Sequence, residues 1–524
     1  MIPAGEPPPA LLAAFEPLLD RIRPALPSGR KVYIAGGAVR DVFLKRPTHD
    51  LDFVLERDGI LAARRVADRL GASFYPLDQE RDTGRVLYDP PGSERLILDF
   101  SVLRAETIEA DLSLRDFTIN AMAVDLGEPG RLIDPTGGLN DLRRKRIRQC
   151  SPDSFRRDPV RVLRAIRLAA EFSFQIEAAT RLELRRTVSI VNAVSAERLR
   201  DEFLRILGGA GPAAALEVMD HFGLVEALFP ELAALHGVEQ SPPHVFDVWV
   251  HSLKTVQEME KLLAAIGSPL GGLNSTGDEP NLPGNLLTGL TTGRLGRYRE
   301  RIQAHLEAGL VLDRPWRPLL VLAALYHDVG KPATKEREES GRIRFLQHES
   351  VGVELFVRRL GELKFSSDEI GRLRNIVRNH MRPHHLVHLE NLPTRQAPPT
   401  RQAPPTRRAI YRFFRDTREA GIDICLLNLA DVLATYGTTL TQEIWISYLD
   451  LSRVLLEAWW EQPDGPVLPE PLVSGHDLMA AFELAPGPKL GEYLEQIREA
   501  QATGEVATRE EALGWIEKRL VLGK

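Results

Sequence analysis

The stretch from Lys31 to Asp52 constrains the fold of this chain more than any other segment. Its pattern predicts a strand at 31–35, a turn at Gly36-Gly37, a helix at 38–44, and then a second strand that carries Asp50 and Asp52. Glycines let backbone N–H groups approach an anion, and the helix that follows presents its positive end to the same anion. The two aspartates point to one face of the strand and suit Mg²⁺. Together these features predict an enzyme that handles a nucleoside triphosphate.

The glycine turn and the Asp-x-Asp pair are more specific together than apart. A glycine pair after a strand is usually only a turn, and an Asp-x-Asp pair is usually a solvated strand end. The order GGAVRD and then DLD at the next strand resembles the nucleotidyltransferase head of the bacterial tRNA nucleotidyltransferase and poly(A) polymerase family. The resemblance implies that Gly36, Gly37 and Arg40 hold a triphosphate and that Asp50 and Asp52 hold Mg²⁺.

Two further motifs extend the resemblance. RDFTINA at 115–121 resembles a family motif, which implies that Arg115 contacts phosphate and Asn120 the sugar, with Asp116 orienting Arg115. The third carboxylate predicted at the site is Asp99, on an apolar strand expected to pair beside the Asp50–Asp52 strand; a strand-end carboxylate without a role is the alternative.

Residues 157–167, RDPVRVLRAIR, resemble the family's EDxxR motif. Asp158 and Arg161 are three apart, so both can face one base. A carboxylate accepts from the amine of cytosine or adenine and a guanidinium donates to the adjacent ring nitrogen, whereas uracil and guanine leave this pair unsatisfied. Arg164 and Arg167 would bind phosphate or hold the helix. Arg157 replaces the usual Glu, which leaves the fine specificity open.

Composition excludes several other classes of protein. The chain has 524 residues, 43% hydrophobic and 27% charged, with a formal net charge of −6. It therefore lacks a global basic signature, and any RNA contact must use local basic patches. Residues 143–148 are such a patch, and the alternative is a solvated surface without a role. Two cysteines predict no disulfide framework and fit the cytoplasm. We expect neither a signal peptide nor a membrane span.

Short apolar runs predict five strands in the head, at VYIAG, LDFVLE, SFYPL, RVLYD and LILDFSVL, with helices at 38–44 and 59–70. Long helical periodicities follow after about residue 150, so the patterns predict an α+β fold with a small mixed sheet and an all-α remainder. The resemblance implies that these parts are a nucleotidyltransferase head followed by a neck, a body and an HD domain. The expected domains are a head at 1–150, a helical neck and body at 151–240 that binds base and RNA, an HD domain at 241–440, and a helical RNA-binding region at 441–524. Residues 266–297 are expected to be a flexible loop, and the PTRQAP repeat at 393–407 an extended insertion.

A series of histidines and aspartates predicts a second centre. It resembles an HD-superfamily metal-dependent phosphohydrolase, and its members in chain order are His251, His327-Asp328, His348, His380 and Asp431. The resemblance implies that His251, His327, Asp328 and Asp431 are core metal ligands and that His348 and His380 serve a second metal. Mn²⁺, Fe, Ni²⁺ and Zn²⁺ all suit such ligands.

The remaining histidines are expected to lie outside this centre. His384, His385 and His388 are expected to be exposed, and His476-Asp477 to lie in a loop.

The resemblance covers nearly the whole chain. It implies a class II tRNA nucleotidyltransferase that adds C and/or A from CTP and ATP to the tRNA 3′ end without a template, and releases pyrophosphate. A poly(A) polymerase and an enzyme that adds only CC or only A stay open within this fold. An HD phosphohydrolase whose head only binds RNA or nucleotide is the alternative of another class. The sequence leaves the oligomeric state open.

Overall fold

The computed structural model describes residues 15–522 except 93, 129–130, 268–281, 312–313, 388–403, 463–464 and 466. The chain forms two compact units. The first consists of residues 1–202 and 218–228, and the second of residues 203–217 and 229–524.

The first unit is built on a seven-stranded mixed sheet. Its strands are β1 (Val32–Ala35), β2 (Asp50–Leu55), β3 (Ser73–Asp78), β4 (Thr83–Tyr88), β5 (Leu96–Val102), β6 (Ala123–Asp125) and β7 (Leu132–Ile133). They lie in the order β3-β4-β5-β2-β1-β6-β7. Only the β2–β5 pair among them is parallel, and it aligns Asp52 with Asp99. Phe53 and Phe100, opposite each other in this pair, stack at 4.6 Å between ring centroids and are fully buried.

The predicted elements of the head are confirmed. All five predicted strands form, and so do the predicted helices at 38–44 and 59–70. The two short strands β6 and β7 were not predicted, because three and two residues are too few to show alternation. The helices of this unit are α1 (Glu16–Ile22), α2 (Gly37–Leu44), α3 (Gly59–Leu70), α4 (Ile108–Ser113), α5 (Gly138–Arg143), α6 (Ser154–Arg157), α7 (Arg161–Phe172), α8 (Ala178–Thr187) and α11 (Leu224–Leu228).

Two further helices, α9 (Ala196–Gly208) and α10 (Pro212–His221), contribute residues to both units. Short strands β8 (Arg146–Ile147) and β9 (Gln175–Ile176) pair in parallel beside α7. Residues 143–146 on this segment are exposed, while Arg148 folds back onto the buried Asp141 at 2.7 Å.

The second unit is helical apart from the hairpin β10 (Lys335–Arg337) and β11 (Ile343–Phe345). Its helices are α12 (Pro230–Ala233), α13 (Val248–Gly267), α14 (Leu282–Leu295), α15 (Arg299–Glu307), α16 (Arg317–Tyr326), α17 (His348–Glu362), α18 (Ser367–Asn379), α19 (Arg382–Leu386), α20 (Arg407–Thr417), α21 (Ala420–Tyr436), α22 (Gln442–Trp460), α23 (Gly475–Phe482), α24 (Pro488–Thr503) and α25 (Arg509–Leu522).

Helix α21 is the core of this unit, packed among α13, α16, α18, α20 and α22. Residues 420–439 are long and apolar enough to cross a membrane by length and composition, and 83% of an 18-residue stretch within them is buried in the protein. Because packed helices surround it, nearly every side chain of α21 is buried.

Two segments of this unit that were predicted to be loops are helical. Residues 282–295, expected to belong to a flexible loop, form helix α14, which packs against α13 and α22. Tertiary contacts here override the low helix propensity of Gly, Thr and Pro. His476 and Asp477, expected in a loop, lie in the first turn of α23, where Asp477 and Ser474 form a capping box. Of the repeat at 393–407, residues 393–403 lie outside the described residues, residues 404–406 are not helical, and Arg407 begins α20.

Candidate active site and metal centre

The turn after β1 brings two charged side chains against one glycine. Gly36 has φ +80°, and a Cβ added there would lie 2.8 Å from both Arg115 Nη1 and Asp52 Oδ2. Only glycine meets both demands, the backbone conformation and the space. Helix α2 begins at Gly37, so the N–H groups of its first turn, which have no acceptor within the helix, lie beside the Asp52 carboxylate and the Arg115 guanidinium. The predicted phosphate turn and the Asp-x-Asp strand thus meet at one point.

Three carboxylates lie on the adjoining strands β2 and β5. Asp50 is exposed at the start of β2, Asp52 is half-buried, and Asp99 faces Asp52 across the parallel pair. Burial raises the pKa of Asp52; Arg115 opposes this, and the charges of Asp99 and Asp50 add to it. A divalent cation would offset the charges that Asp99 and Asp50 exert on Asp52, and carboxylate oxygens are the ligands that Mg²⁺ prefers, so the residue types fit a divalent metal ion.

Asp99 is less available than the other two carboxylates. Its two oxygens accept hydrogen bonds from Arg85 Nε and Nη2, each at 2.7 Å. This bidentate pair neutralises Asp99 within the sheet. Asp50 and Asp52 are therefore the better metal ligands, and the predicted role of Asp99 as third ligand would require Arg85 to give way.

A chain of polar contacts links the other predicted head residues. Arg40 donates to Asp41 at 2.9 Å and to Asn120 Oδ1 at 2.7 Å. Asn120 in turn donates to Asp116 Oδ1 at 3.3 Å, and Asp116 Oδ2 pairs with Arg164 at 3.1 Å. Burial alone would raise the pKa of Asp116, but Arg164 and nearby N–H donors outweigh it and lower that pKa.

The predicted pairing of Asp116 with Arg115 is wrong. Asp116 orients Arg164 and Asn120, whereas Arg115 Nε lies 3.7 Å from the buried Asp111. Adjacent residues leave the chain in different directions, so neighbours in sequence need not be partners. Arg115 reaches Gly36 and Asp52 instead.

The two predicted base-reading residues lie side by side, each with other partners. Arg161 Nε is 3.8 Å from Asp158 Oδ2, and Arg161 also donates to Ser154 Oγ at 2.7 Å and to the carbonyl of Leu114. Asp158 precedes helix α7 and accepts two hydrogen bonds, at 2.8 and 3.0 Å, from Arg198.

Arg198 is a site residue that sequence reasoning missed. The sequence around it shows only the pattern of a packing helix, yet its side chain is 56% exposed and covers Asp158. Arg167, by contrast, holds the helices together: it pairs with Glu202 at 2.5 Å and with Glu171 at 3.1 Å.

The second centre lies wholly in the second unit. Four helices and the end of α16 bring six buried side chains together, in two sets whose ligand atoms lie within 4.8 Å of one another: His251, His327 and Asp431, and Asp328, His348 and His380. Asp328 joins the two sets. Its Oδ2 is 3.2 Å from His327 Nε2 and 3.4 Å from His251 Nε2, while its Oδ1 is 3.4 Å from His348 Nε2.

Three of the four imidazoles are fixed in one tautomer. His327, His348 and His380 each donate from Nδ1 to the carbonyl three residues earlier, at 2.7–2.8 Å. Their Nε2 atoms then carry lone pairs, and those of His348 and His380 face each other at 3.3 Å. Two lone pairs at that distance repel each other unless a cation lies between them, and such outer hydrogen bonds are typical of metal-bound histidine. The donor set therefore fits divalent metal ions.

The charges agree with this arrangement. Burial, with help from the other imidazoles, lowers the pKa of His380 to about 3, so its ring is neutral. Burial would raise the pKa of Asp328, but His327 and the buried Lys331, whose Nζ lies 2.6 Å from Asp328 Oδ2, hold it well below its usual value. Burial opposes it, but Asp328 and Asp431 raise the pKa of His327, so in the absence of a cation this ring tends to hold a proton. Metal binds neutral imidazoles and ionised carboxylates, so a bound cation would replace that proton.

One of the remaining histidines was predicted wrongly. His384, expected to be exposed, is largely covered and lies 3.0 Å from Asp431 Oδ2. Its neighbour His385 is exposed as expected, and His388 lies outside the described residues. The expectation failed because α19 packs against α21 and α22, which sequence periodicity over five residues does not reveal.

The first unit has a mixed sheet with carboxylates on β2 and β5 beside a glycine turn, and the second has helices around a histidine–aspartate centre. These features define a nucleotidyltransferase that carries an HD domain. Residues 32–148 match the poly A polymerase head domain and residues 173–235 an RNA- and SrmB-binding site of polymerase A. Residues 296–435 match the HD domain, and residues 468–516 match domain 2 of tRNA nucleotidyltransferase.

Whole-length relatives agree. The chain is 31% identical over 502 residues to an A-adding tRNA nucleotidyltransferase of Deinococcus radiodurans, covering 94% of this chain and 96% of that protein. It is 31% identical over 493 residues to a CC-adding tRNA nucleotidyltransferase of Thermus thermophilus, covering 93% of each. The fold is similar to a CCA-adding enzyme solved with ATP, with TM-score 0.57, 21% identity and coverage of 97% and 98%. The chain belongs to the bacterial tRNA nucleotidyltransferase family.

Proposed function

We propose that this protein adds C and/or A from CTP and ATP to the 3′ end of tRNA without a nucleic-acid template and releases pyrophosphate. The observation that carries the proposal is the convergence of Asp52 and Arg115 on Gly36, at the start of helix α2. A carboxylate for metal, a cation for phosphate and open backbone donors there meet the needs of a nucleoside triphosphate.

The head residues would contact three parts of the substrate complex: the metal ion, the triphosphate and the sugar. Asp50 and Asp52 would hold Mg²⁺, which when bound lowers the pKa of the attacking 3′-hydroxyl and offsets charge on the leaving group. Arg115 and the N–H groups at the Gly36-Gly37 turn would bind the triphosphate, and Arg40, anchored by Asp41, extends that surface. Asn120 would contact the sugar.

Base choice would rest on Asp158 and Arg161. Asp158 would accept from the amine of cytosine or adenine, and Arg161 would donate to the neighbouring ring nitrogen. Arg198 already donates to both oxygens of Asp158, and the remaining lone pairs of the carboxylate can accept the amine of an incoming base. Uracil and guanine would leave Asp158 short of a donor, which supports discrimination against UTP and GTP.

The relatives support tRNA as the partner, because the similar proteins are named as A-adding and CC-adding tRNA nucleotidyltransferases, and a similar fold was solved from Thermotoga maritima as a CCA-adding enzyme with tRNA. We propose four domains: a head at 1–150, a neck and body at 151–240, an HD domain at 241–440 and RNA-binding helices at 441–524. The helices would hold the acceptor arm by its shape and backbone. Free thiols at Cys150 and Cys425 support a cytoplasmic setting.

An assay at nucleotide resolution tests the proposal. Three tRNA transcripts, ending before CCA, after C and after CC, are incubated with Mg²⁺ and CTP, ATP or both. Ordered completion to CCA followed by arrest identifies the full activity, whereas CC alone or A alone identifies a partial enzyme. An unlimited A ladder identifies a poly(A) polymerase. No extension of any transcript would contradict the proposal.

We propose a second activity for the HD centre, metal-dependent hydrolysis of a phosphate ester. The two ligand sets support it, because their imidazoles and carboxylates would hold divalent cations and Asp328 lies close to histidines of both sets. When bound, Mn²⁺, Fe, Ni²⁺ or Zn²⁺ would supply an activated water. Terminal phosphates and 2′,3′-cyclic phosphates of RNA are suitable substrates. Release of phosphate from a 3′-phosphorylated RNA, or opening of a cyclic phosphate, tests this activity.

Gly36→Ala should reduce nucleotide transfer about 10- to 100-fold, since the new methyl group displaces Asp52 or Arg115 and the backbone becomes strained. The measurement is the single-turnover rate of C or A addition. Gly29→Ala is the matched control: Gly29 has φ +72° but open space around it, so it reports the backbone strain alone. Equal rates in the two variants would contradict the packing argument.

A further inference from the structure

Asp431 has different partners on its two oxygens. Its Oδ1 faces the metal cluster, 3.1 Å from His251 Nε2 and 3.8 Å from His327 Nε2. Its Oδ2 faces away from these rings and lies 3.0 Å from His384 Nε2. The other nitrogen of His384, Nδ1, is 3.0 Å from the hydroxyl of Tyr448.

The hydrogen-bonding capacity of these groups leaves one consistent assignment. As a metal ligand Asp431 acts as a carboxylate, and its Oδ2 lies 3.0 Å from His384 Nε2. A carboxylate only accepts, so His384 Nε2 must carry the hydrogen. Nδ1 is then an acceptor, and the Tyr448 hydroxyl must donate to it. Burial raises the pKa of Tyr448, which keeps that hydrogen in place.

Asn428 agrees with this assignment once its amide is turned. Its Nδ2 is placed 2.9 Å from His384 Nε2, where two donors would meet, while its Oδ1 is buried without a hydrogen bond among the described residues. The two amide ends are interchangeable in placement. With Oδ1 toward His384, the conflict disappears and Asn428 becomes a second acceptor for the Nε2 hydrogen.

Three elements hold this arrangement. His384 lies on the short helix α19, which packs against α21 with Asp431 and Asn428 and against α22 with Tyr448. The His384 and Tyr448 rings meet edge to face at 5.5 Å. His384 is thus held on the far side of Asp431 from the cluster, where it can orient the carboxylate without joining the ligand set.

We propose that His384 is a positioning residue for the HD metal centre, and that the series Tyr448, His384 and Asp431 aims Asp431 Oδ1 at the metal. The inference rests on the proposed metal function of the HD centre. Second hydrogen bonds to metal-ligating groups typically change metal affinity about 10- to 100-fold. The same loss is expected when His384 is replaced by a residue that cannot donate.

Ni²⁺ binding to the untagged, full-length protein tests the proposal. Calorimetric titration is run in excess Mg²⁺, which occupies the oxygen ligands of the head while imidazoles select Ni²⁺. His384→Ala should bind Ni²⁺ about 10- to 100-fold more weakly than wild type. His384→Gln, which keeps an N–H donor, should recover part of that loss. His385→Ala, the exposed neighbour, should bind like wild type.

Each outcome decides the matter. Wild-type affinity in His384→Ala, or equal losses in His384→Ala and His384→Gln, would overturn the positioning role. Absence of Ni²⁺ binding by the wild type would overturn the proposed metal function, and the positioning role with it. Thermal unfolding checks each variant. If His384→Ala does not fold, Tyr448→Phe, which removes one oxygen, should weaken Ni²⁺ binding several-fold, and unchanged affinity there would overturn the proposal.

Discussion

Asp52→Ala is expected to reduce nucleotide transfer to tRNA by about a thousandfold or more, equivalent to about 4 kcal/mol of transition-state stabilisation. Asp52 is the carboxylate whose Oδ2 reaches Gly36 beside Arg115, and burial together with two neighbouring carboxylates raises its pKa. Its removal deletes a proposed metal ligand and takes one of two neighbouring negative charges from Arg115, which keeps Asp111. The measurement is the single-turnover rate of C or A addition at saturating Mg²⁺.

Controls separate chemistry from folding. Asp68→Ala, an exposed aspartate on α3, should transfer at the wild-type rate. Asp52→Asn keeps the shape but not the charge and should be nearly as inactive as Asp52→Ala. Ni²⁺ binding at the HD centre should persist in both Asp52 variants. Substantial transfer by Asp52→Asn would contradict a metal-ligand role for this residue.

Asp328→Asn is expected to abolish metal binding at the HD centre, with affinity lowered by at least about 100-fold, or roughly 3 kcal/mol. One carboxylate serves both ligand sets: Oδ2 faces His327 and His251, and Oδ1 faces His348. An amide in its place removes the shared negative charge and leaves Lys331 buried beside a neutral group. The number of bound Ni²⁺ ions and their affinity are measured by calorimetry and elemental analysis.

Two other variants sharpen this test. His348→Ala should lose the ion of the second set only, because His251, His327 and Asp431 stay intact. Asp368→Asn, an exposed aspartate on α18, should bind like wild type. Full metal content in folded Asp328→Asn would contradict the role of Asp328 in both ligand sets. Nucleotide transfer should survive in His327→Ala, and its loss in a folded variant would show that the two centres are coupled.

The first centre could be predicted largely from short-range pattern. Alternating and continuous apolar runs predicted the five strands from β1 to β5, and the pairing of Asp99 beside the Asp50–Asp52 strand followed from them. A glycine with positive φ between strand and helix was readable because few other residues adopt that conformation. The HD residues were identified through a resemblance, and the structure brings all six together from positions spread over residues 251–431.

The ion-pair partners of charged side chains were harder to predict than the positions of the strands and motifs. Arg85 on Asp99, Arg164 on Asp116 and Arg198 on Asp158 all come from other elements, up to 48 residues away in the chain. Charged side chains have many acceptable partners, and sequence does not say which pair will share a desolvated space. His384 is the clearest case, since its contact with Asp431 depends on how a five-residue helix packs.

The sequence by itself determined the class of fold, the phosphate turn and the residue types of both centres, because these depend on backbone conformation and on chemistry within short segments. Only the tertiary structure decided which carboxylates are paired with arginine, that residues 282–295 are helical, and that Asp328 joins two ligand sets. These outcomes depend on distances between elements remote in sequence, where burial makes each unpaired charge costly and so selects its partner.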